Sequence, residues 1–268
     1  MSKIIALDAG HGLYTAGKRV TLSGYPSTRE WELNDRIMDI VQNELMNNFE
    51  CTVLRVDDTT GKKDISLSKR VKSANNANAD VYVSMHHNAG IDGGVGGGTV
   101  VFYYSSNIKR RDQAQKLYNY ITDETRLYGN RSQQVIKKGY DVLKNTKMPA
   151  FLIENGFMDS KVDVPIILSH EHAVKTARGL VSFLVEQFCL EPKKMSQIDD
   201  NKVTEVYYPR YTGVKTTLSN AMNSLGLDAS YSHRKLIAKA NNISGYVGTA
   251  AQNTQMYNLL VAGLLKKE

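Results

Sequence analysis

Cysteine is scarce: the chain has two, Cys51 and Cys189, in 268 residues. No Cys-x-x-Cys pair occurs, which excludes a thiolate zinc site, and two widely spaced thiols fit reduced, buried side chains rather than a disulfide framework. Long apolar runs are missing too. Nothing approaches the ~18 consecutive apolar residues of a membrane span, so none is expected. Met1-Ser2-Lys3 leads into Ile4-Ile5-Ala6-Leu7, which Asp8 ends too early for a secretory leader. Synthesis in the cytoplasm is the expectation. No Gly-x-Ser-x-Gly elbow is present, which speaks against a serine hydrolase. Gly10-His11-Gly12 has Thr15 where a dinucleotide fingerprint has its third glycine. The glycines at 90 and 93–98, interrupted by Val95, lack the Lys-Ser/Thr of a phosphate cradle. A mobile loop at the rim of a site is expected there.

Charge is not of one sign in any long stretch. The net charge is +7, but Lys and Arg alternate with acids along most of the chain. Nucleic-acid binding is therefore not expected. Net charge of this size also serves solubility.

What the chain does contain is alternation. Strand-like and helix-like segments follow one another over the first ~190 residues, the pattern of an α/β sheet. Strands are expected at Lys3–Leu7, Cys51–Val56, Val81–Met85, Thr99–Tyr104 and Ala150–Ile153. Leu33, Ile37, Ile40, Val41 and Leu45 recur at helical spacing, so Trp31 to about Asn47 is read as an amphipathic helix. Further helices are expected at Leu67–Asn78, from about Ile108 to Tyr128, and from His172 to about Phe188. Residues 191–202 have little to bury and read as a linker. A small, mainly helical domain over 203–268 follows, with one short strand at Val203–Tyr208 and helices at Thr217–Leu225, His233–Ala240 and Ala250–Leu265. Met195, inside the linker, is a candidate internal start.

Four polar side chains stand at the ends of these elements. His11 follows the first strand between two glycines, where small neighbours let the backbone bend close to a ligand. A lone His in a turn is more often a surface residue, but ligand crevices of open α/β sheets lie at strand C-termini. Glu30 opens the amphipathic helix, where a carboxylate also suits the helix dipole. Glu32 is an alternative, but it faces about 200° around the helix from Glu30. Asn34, one turn on, is placed to hydrogen-bond Glu30. His86 ends the strand Val81–Met85 and shares a face with Ser84 and Tyr82. His87 points the other way, as a supporting or structural residue, and Asn88 is placed to orient a ligand or bond the turn. Two imidazoles and a carboxylate make a three-ligand zinc site with an open position for water. Glu154 ends an otherwise apolar strand, where an unpaired carboxylate is costly unless metal or hydrogen bonds compensate. It is a fourth ligand or a general base, and with His11, Glu30 and His86 filling the set, the base is the better assignment. His170, His172 and His233 are read as capping or surface residues.

These landmarks have a known counterpart. Leu7-Asp8-Ala9-Gly10-His11-Gly12, Glu30 with Asn34, Leu67 with Arg70 and Ala74-Asn75, Asp80 through Ala89, Gly98 through Tyr103 and Pro149 through Phe157 come in one order. In that order residues 3 to about 188 resemble the zinc-dependent N-acetylmuramoyl-L-alanine amidases of the Amidase_3 type, found in bacterial autolysins and phage endolysins. The resemblance implies Zn2+ on His11, Glu30 and His86, a catalytic Glu154, and a twisted, mainly parallel sheet flanked by helices. Leu13–Arg19 and His87 depart most from that pattern. The tail resembles a wall-binding module of Bacillus phage amidases, through Tyr207-Tyr208-Pro209, Tyr231-Ser232-His233-Arg234-Lys235 and Gly248 through Gln255. Tyr207, Tyr208, Tyr211, Tyr231 and Tyr246 would either stack on sugars or pack a core. Together these imply a peptidoglycan hydrolase that cuts between N-acetylmuramic acid and L-alanine. Its partners would be peptidoglycan and, as a further candidate, a secondary wall polymer, reached after release from the host cytoplasm, as for an endolysin or for a sporulation amidase freed by mother-cell lysis. Alternatives are a zinc carboxypeptidase or deacetylase acting on the wall, or a non-catalytic wall-binding protein.

Overall fold

Strands buried on both faces decide how the first part of the chain folds. In a computed structural model, which describes residues 2–130, 132–193 and 206–268, the chain divides into two compact units, Met1–Lys193 and Lys194–Glu268. The first holds a six-stranded sheet in the order β2-β1-β3-β6-β4-β5. Its strands are β1 (Lys3–Ala9), β2 (Cys51–Arg55), β3 (Val81–Asn88), β4 (Thr99–Tyr103), β5 (Val135–Lys137) and β6 (Ala150–Phe157). All pairings are parallel except β4 with β6. The expected mainly parallel sheet is therefore present, with the two strands at one edge, β4 and β5, reversed.

Alternate strand residues feed two cores. Ile5, Leu7, Val81, Val83, Met85, Val101, Phe151 and Ile153 face helices α1 (Glu30–Asn48), α3 (Ile108–Thr125) and α6 (His170–Phe188). Ala6, Tyr82, Val100, Phe102 and Leu152 face α2 (Leu67–Asn76) and the short α4 (Asp141–Lys144). Burial on both sides explains why the strands are apolar throughout rather than alternating. Helix α1 turns Leu33, Ile37, Val41 and Leu45 inward, together with Trp31 and Met38. A one-turn helix α5 (Val164–Ile167) precedes α6.

Several boundaries differ from the sequence reading. Strand β3 runs past Met85 to Asn88, and β6 past Ile153 to Phe157, because the two keep pairing beyond their apolar stretches, with His86 opposite Glu154. The register shifts between His86 and Asn88. Helix α3 stops at Thr125, where Arg126 turns left-handed. Helix α6 starts at His170 because Ser169 Oγ caps it, accepting from the His172 amide at 3.1 Å. Strand β5 and helix α4 are too short for periodicity to reveal. Cys51 is half-buried and Cys189 is exposed, both as free thiols, so only the first approaches the burial expected of both.

The second unit has a core of its own. Helices α7 (Leu218–Ser224), α8 (Tyr231–Ala240) and α9 (Ala250–Ala262) enclose Leu218, Met222, Ile237, Met256, Leu260 and Leu265. Thr217, Ser230 and Thr249 each cap the helix that follows, as their short oxygen-bearing side chains allow. Tyr208, Tyr211 and Tyr246 are buried in this core, whereas Tyr231 is half exposed and stacks on Tyr246. Packing thus accounts for three of the five tyrosines. Of the expected strand at Val203–Tyr208, residues 203–205 lie outside the described residues. Tyr207 makes a single bridge to Lys266. Most of the expected linker, with Met195, is also outside them. Among the described residues no helix is long and apolar enough to cross a membrane.

Candidate metal centre and catalytic acid

Parallel pairing brings the C-terminal ends of β1, β3 and β6 side by side, and the site is built on that edge. Asp8 is in register with Ser84, and His86 with Glu154. His11 lies two residues beyond β1, and Glu30 is the first residue of α1. The Glu30 amide donates to the Lys18 carbonyl at 3.0 Å, which ties the start of α1 to the loop after His11.

His11, Glu30 and His86 converge. Glu30 Oε1 is 3.3 Å from His11 Nε2 and 3.0 Å from His86 Nδ1. One donor atom from each of the three residues lies within 4.8 Å of the others, and the imidazoles meet edge to face at 4.9 Å between centroids. Glu30 is 1 % exposed. Its Oε2 has no hydrogen-bond partner, and Lys18 Nζ stands 3.8 Å away. Burial alone would raise the Glu30 carboxyl, but the two imidazoles carry it well below the usual carboxylate range. For His86 burial favours the neutral ring, but the Glu30 and Glu154 carboxylates outweigh it and raise its pKa. Two imidazole nitrogens and a carboxylate at this spacing, with an unsatisfied buried oxygen among them, fit a divalent cation of the zinc type.

Glu154 faces the same edge from β6. Its Oε2 is buried without a hydrogen-bond partner. Burial pushes its pKa up to about 7, with His86 opposing the rise and Glu30 adding to it. A carboxyl raised by burial beside a cation-type donor set is a common arrangement for a proton-transfer group.

Two glycine-related constraints shape the first ligand. A Cβ at Gly10 would lie 2.0 Å from His86 Cε1, so the His86 ring occupies the space a side chain would need. His11 itself has φ of 66°, a left-handed conformation that costs a non-glycine residue about 1–2 kcal/mol. Neighbouring bonds must hold it there.

The supporting residues differ in part from expectation. Asn34 does not bond Glu30. Its Nδ2 donates to the Gly10 carbonyl at 3.1 Å and its Oδ1 lies 2.8 Å from His87 Nδ1. The reason is the irregularity in β3, which turns the His87 amide toward Glu30 Oε1 at 3.2 Å and its ring toward Asn34. His87 is buried, as a supporting role requires, and burial lowers its pKa to about 3. His172 is not a surface residue: it is 3 % exposed, with Nε2 2.9 Å from Asn155 Nδ2. It is the third residue of α6 and turns inward, while His170 is exposed. His233 is half-buried, 2.9 Å from the Tyr208 hydroxyl. The glycine-rich stretch is tied at its two ends by acids from beyond β6. Asp159 Oδ2 accepts the amides of Gly90, Ile91 and Asp92 at 2.8–2.9 Å, and Asp163 Oδ2 accepts those of Gly98 and Phe157 at 2.7 and 2.9 Å.

Sequence reasoning missed one buried network. Asp8 accepts from Arg70 through Oδ1, and from the Tyr82 and Ser84 hydroxyls through Oδ2, both at 2.7 Å. Asp8 and Arg70 are each 1 % exposed. The signal was available: Asp8, like Glu154, is an acid at the end of an apolar strand.

The model of the N-acetylmuramoyl-L-alanine amidase family Amidase_3 matches residues 5–185. The chain belongs to that family. The match falls inside the first unit, and the activity is peptidoglycan hydrolysis of the N-acetylmuramoyl-L-alanine amidase class. Among relatives, the endolysin of Bacillus phage SPP1 is 31 % identical over 196 residues, covering 72 % of this chain and 69 % of the endolysin. The germination-specific N-acetylmuramoyl-L-alanine amidase of Bacillus subtilis is 28 % identical over 203 residues, 69 % of this chain and 80 % of that one. Among solved structures, the N-acetylmuramoyl-L-alanine amidase from Clostridium difficile 630 superposes with a TM-score of 0.61 at 26 % identity, over 70 % of this chain and 97 % of that chain. The α/β fold of the first unit is that of these amidases.

Proposed function

We propose that the first unit is a zinc amidase cutting the amide between the lactyl group of N-acetylmuramic acid and L-alanine. His11, Glu30 and His86 would hold the ion and Glu154 would be the general base. The observation that carries this reading is the convergence of the three donors within 4.8 Å beside an acid on the neighbouring strand. A zinc ion there would polarise the scissile carbonyl and ease deprotonation of the attacking water. Glu154 takes the proton from that water and returns it to the leaving L-alanine amine. Glu30 Oε1 faces a ring nitrogen of each histidine, so an ion placed among them would take one oxygen and two nitrogens as ligands.

Glu154→Gln tests the assignment: metal content and fold stay, and wall lysis is lost. Wild-type turnover by that variant would refute it. His11→Ala and His86→Ala lose metal and activity together. Product analysis separates the amidase from a carboxypeptidase or deacetylase, since only the amidase exposes new L-alanine amino termini without releasing acetate.

The second unit is proposed to bind the wall. Its separate core supports this, as does its charge: seven Lys or Arg side chains against two acids between 206 and 268. Such a balance suits an anionic secondary wall polymer. Similarity to a phage endolysin supports action after release from the host cytoplasm. Cosedimentation of residues 194–268 with purified walls, at low and high salt, tests the binding role. No pelleting at either salt would exclude it.

A further inference from the structure

The peptide joining His11 to Gly12 is gripped at both ends, and one chain of bonds does the gripping. At its carbonyl, Arg70 Nη2 donates to His11 O at 2.8 Å. At its amide, Gly12 N donates to Thr15 Oγ1 at 3.0 Å. Asp64 joins the two grips: Oδ1 accepts from Arg70 Nη2 at 3.1 Å, and Oδ2 accepts from the Thr15 hydroxyl at 2.7 Å. Arg70 is itself fixed, donating to the carbonyls of Ile65 at 2.7 Å and Ala9 at 2.8 Å. A Cβ on Gly12 would stand 3.0 Å from the Asp64 amide nitrogen, so the two loops approach this closely only because residue 12 has no side chain.

The conformation being held is the left-handed one of His11, φ 66°. Rotation about the His11 N–Cα bond, which carries the imidazole and the 11–12 peptide together, is the escape from it, because an L residue prefers negative φ. That rotation would break the Arg70 bond and the Thr15 bond together and swing the imidazole away from Glu30. A ligand must stay within roughly 0.5 Å and 10–20° of its working position.

We propose that Asp64 is a positioning residue for His11: through Arg70 and Thr15 it locks the 11–12 peptide and so aims the imidazole at Glu30. The proposal rests on the metal reading given above. Asp64 appears in no contact with Glu30, His86 or Glu154. Its side chain is 47 % exposed, so removing it takes nothing from the hydrophobic core.

The experiment uses the full-length chain with Asp64→Ala, Thr15→Val and the double variant. Zinc affinity is read by competition with a chromogenic chelator. Coordination geometry is read from the visible spectrum of the cobalt(II) form, and apo stability from thermal unfolding. Each single variant weakens zinc binding about tenfold, the scale of lost outer-layer support at metal sites. The double variant falls little further, because both cut the same chain of bonds. The cobalt spectrum shifts in each, apo unfolding changes little, and Asp64→Asn recovers part of the affinity. Wild-type affinity with an unchanged cobalt spectrum in Asp64→Ala overturns the proposal, as does an affinity loss matched by general unfolding with that spectrum unaltered. A wild-type chain that takes up neither ion refutes the metal reading before any variant is compared, and the aiming role falls with it.

Discussion

Asn34 Oδ1 and His87 Nδ1 lie 2.8 Å apart in the space behind Glu30, with both side chains buried. Asn34 also holds the Gly10 carbonyl. This one amide therefore ties the strand that carries His86 to the turn that carries His11. Asn34→Ala leaves a ring nitrogen and a carbonyl without partners and should destabilise the protein by about 3 kcal/mol. Urea unfolding measures this, and a change below about 0.5 kcal/mol would show that the pair is dispensable.

Gly10→Ala should abolish metal uptake while leaving a folded chain. The added methyl takes the space of the His86 ring, and overpacking of this kind costs about 1–3 kcal/mol. The ring is easier to move than the strand, so His86 yields. Metal analysis after dialysis checks it. A variant with full metal content would mean that the turn, rather than the ring, gives way.

His172 should make stability sensitive to mild acid. Burial holds its folded pKa at about 4 against an ordinary 6.5, with Lys175 adding to the fall and Asn155 opposing it. Above about pH 6.5 both states are neutral at this residue and stability is full. As pH drops toward about 4, the unfolded chain binds a proton that the native one refuses, and about 3 kcal/mol is lost. Unfolding free energies of wild type and His172→Gln, measured from pH 7.5 to 4.5, should converge as pH falls. Parallel curves would refute the assignment.

Chelator should lower the unfolding temperature of the wild type and not that of Glu30→Gln. An ion bound only by the native state, present at a hundred times its Kd, contributes about 2.7 kcal/mol. Differential scanning fluorimetry with and without chelator decides it, and equal shifts in both proteins would place the stabilising ion elsewhere.

The chain showed its fold class through runs that burial dictates: apolar strands at Lys3–Leu7 and Val81–Met85, and the helical stripe from Leu33 to Leu45. It showed the cluster of His11, Glu30 and His86, with Glu154 on the neighbouring strand, because each breaks an apolar or glycine-bounded pattern at an element's end. Period two put His86 on the face of Ser84 and Tyr82, and the Asp8 network does run along that face. What stayed hidden depends on long-range pairing. The partner of Asn34 follows from an irregularity in β3 that no local pattern encodes. The inward turn of His172 follows from packing of α6 against the sheet. The anchoring of residues 90–98 follows from Asp159 and Asp163, acids far along the chain with no periodic signature.

Strand β6 enters the sheet between β3 and β4, although it is the last strand to leave the ribosome. A growing chain therefore possesses His11, Glu30 and His86 well before it possesses Glu154, and the gap at the middle of its sheet closes only when residues 150–157 arrive. A polypeptide that stops short of residue 150 therefore lacks at once the central strand of its sheet and the side chain proposed as the base.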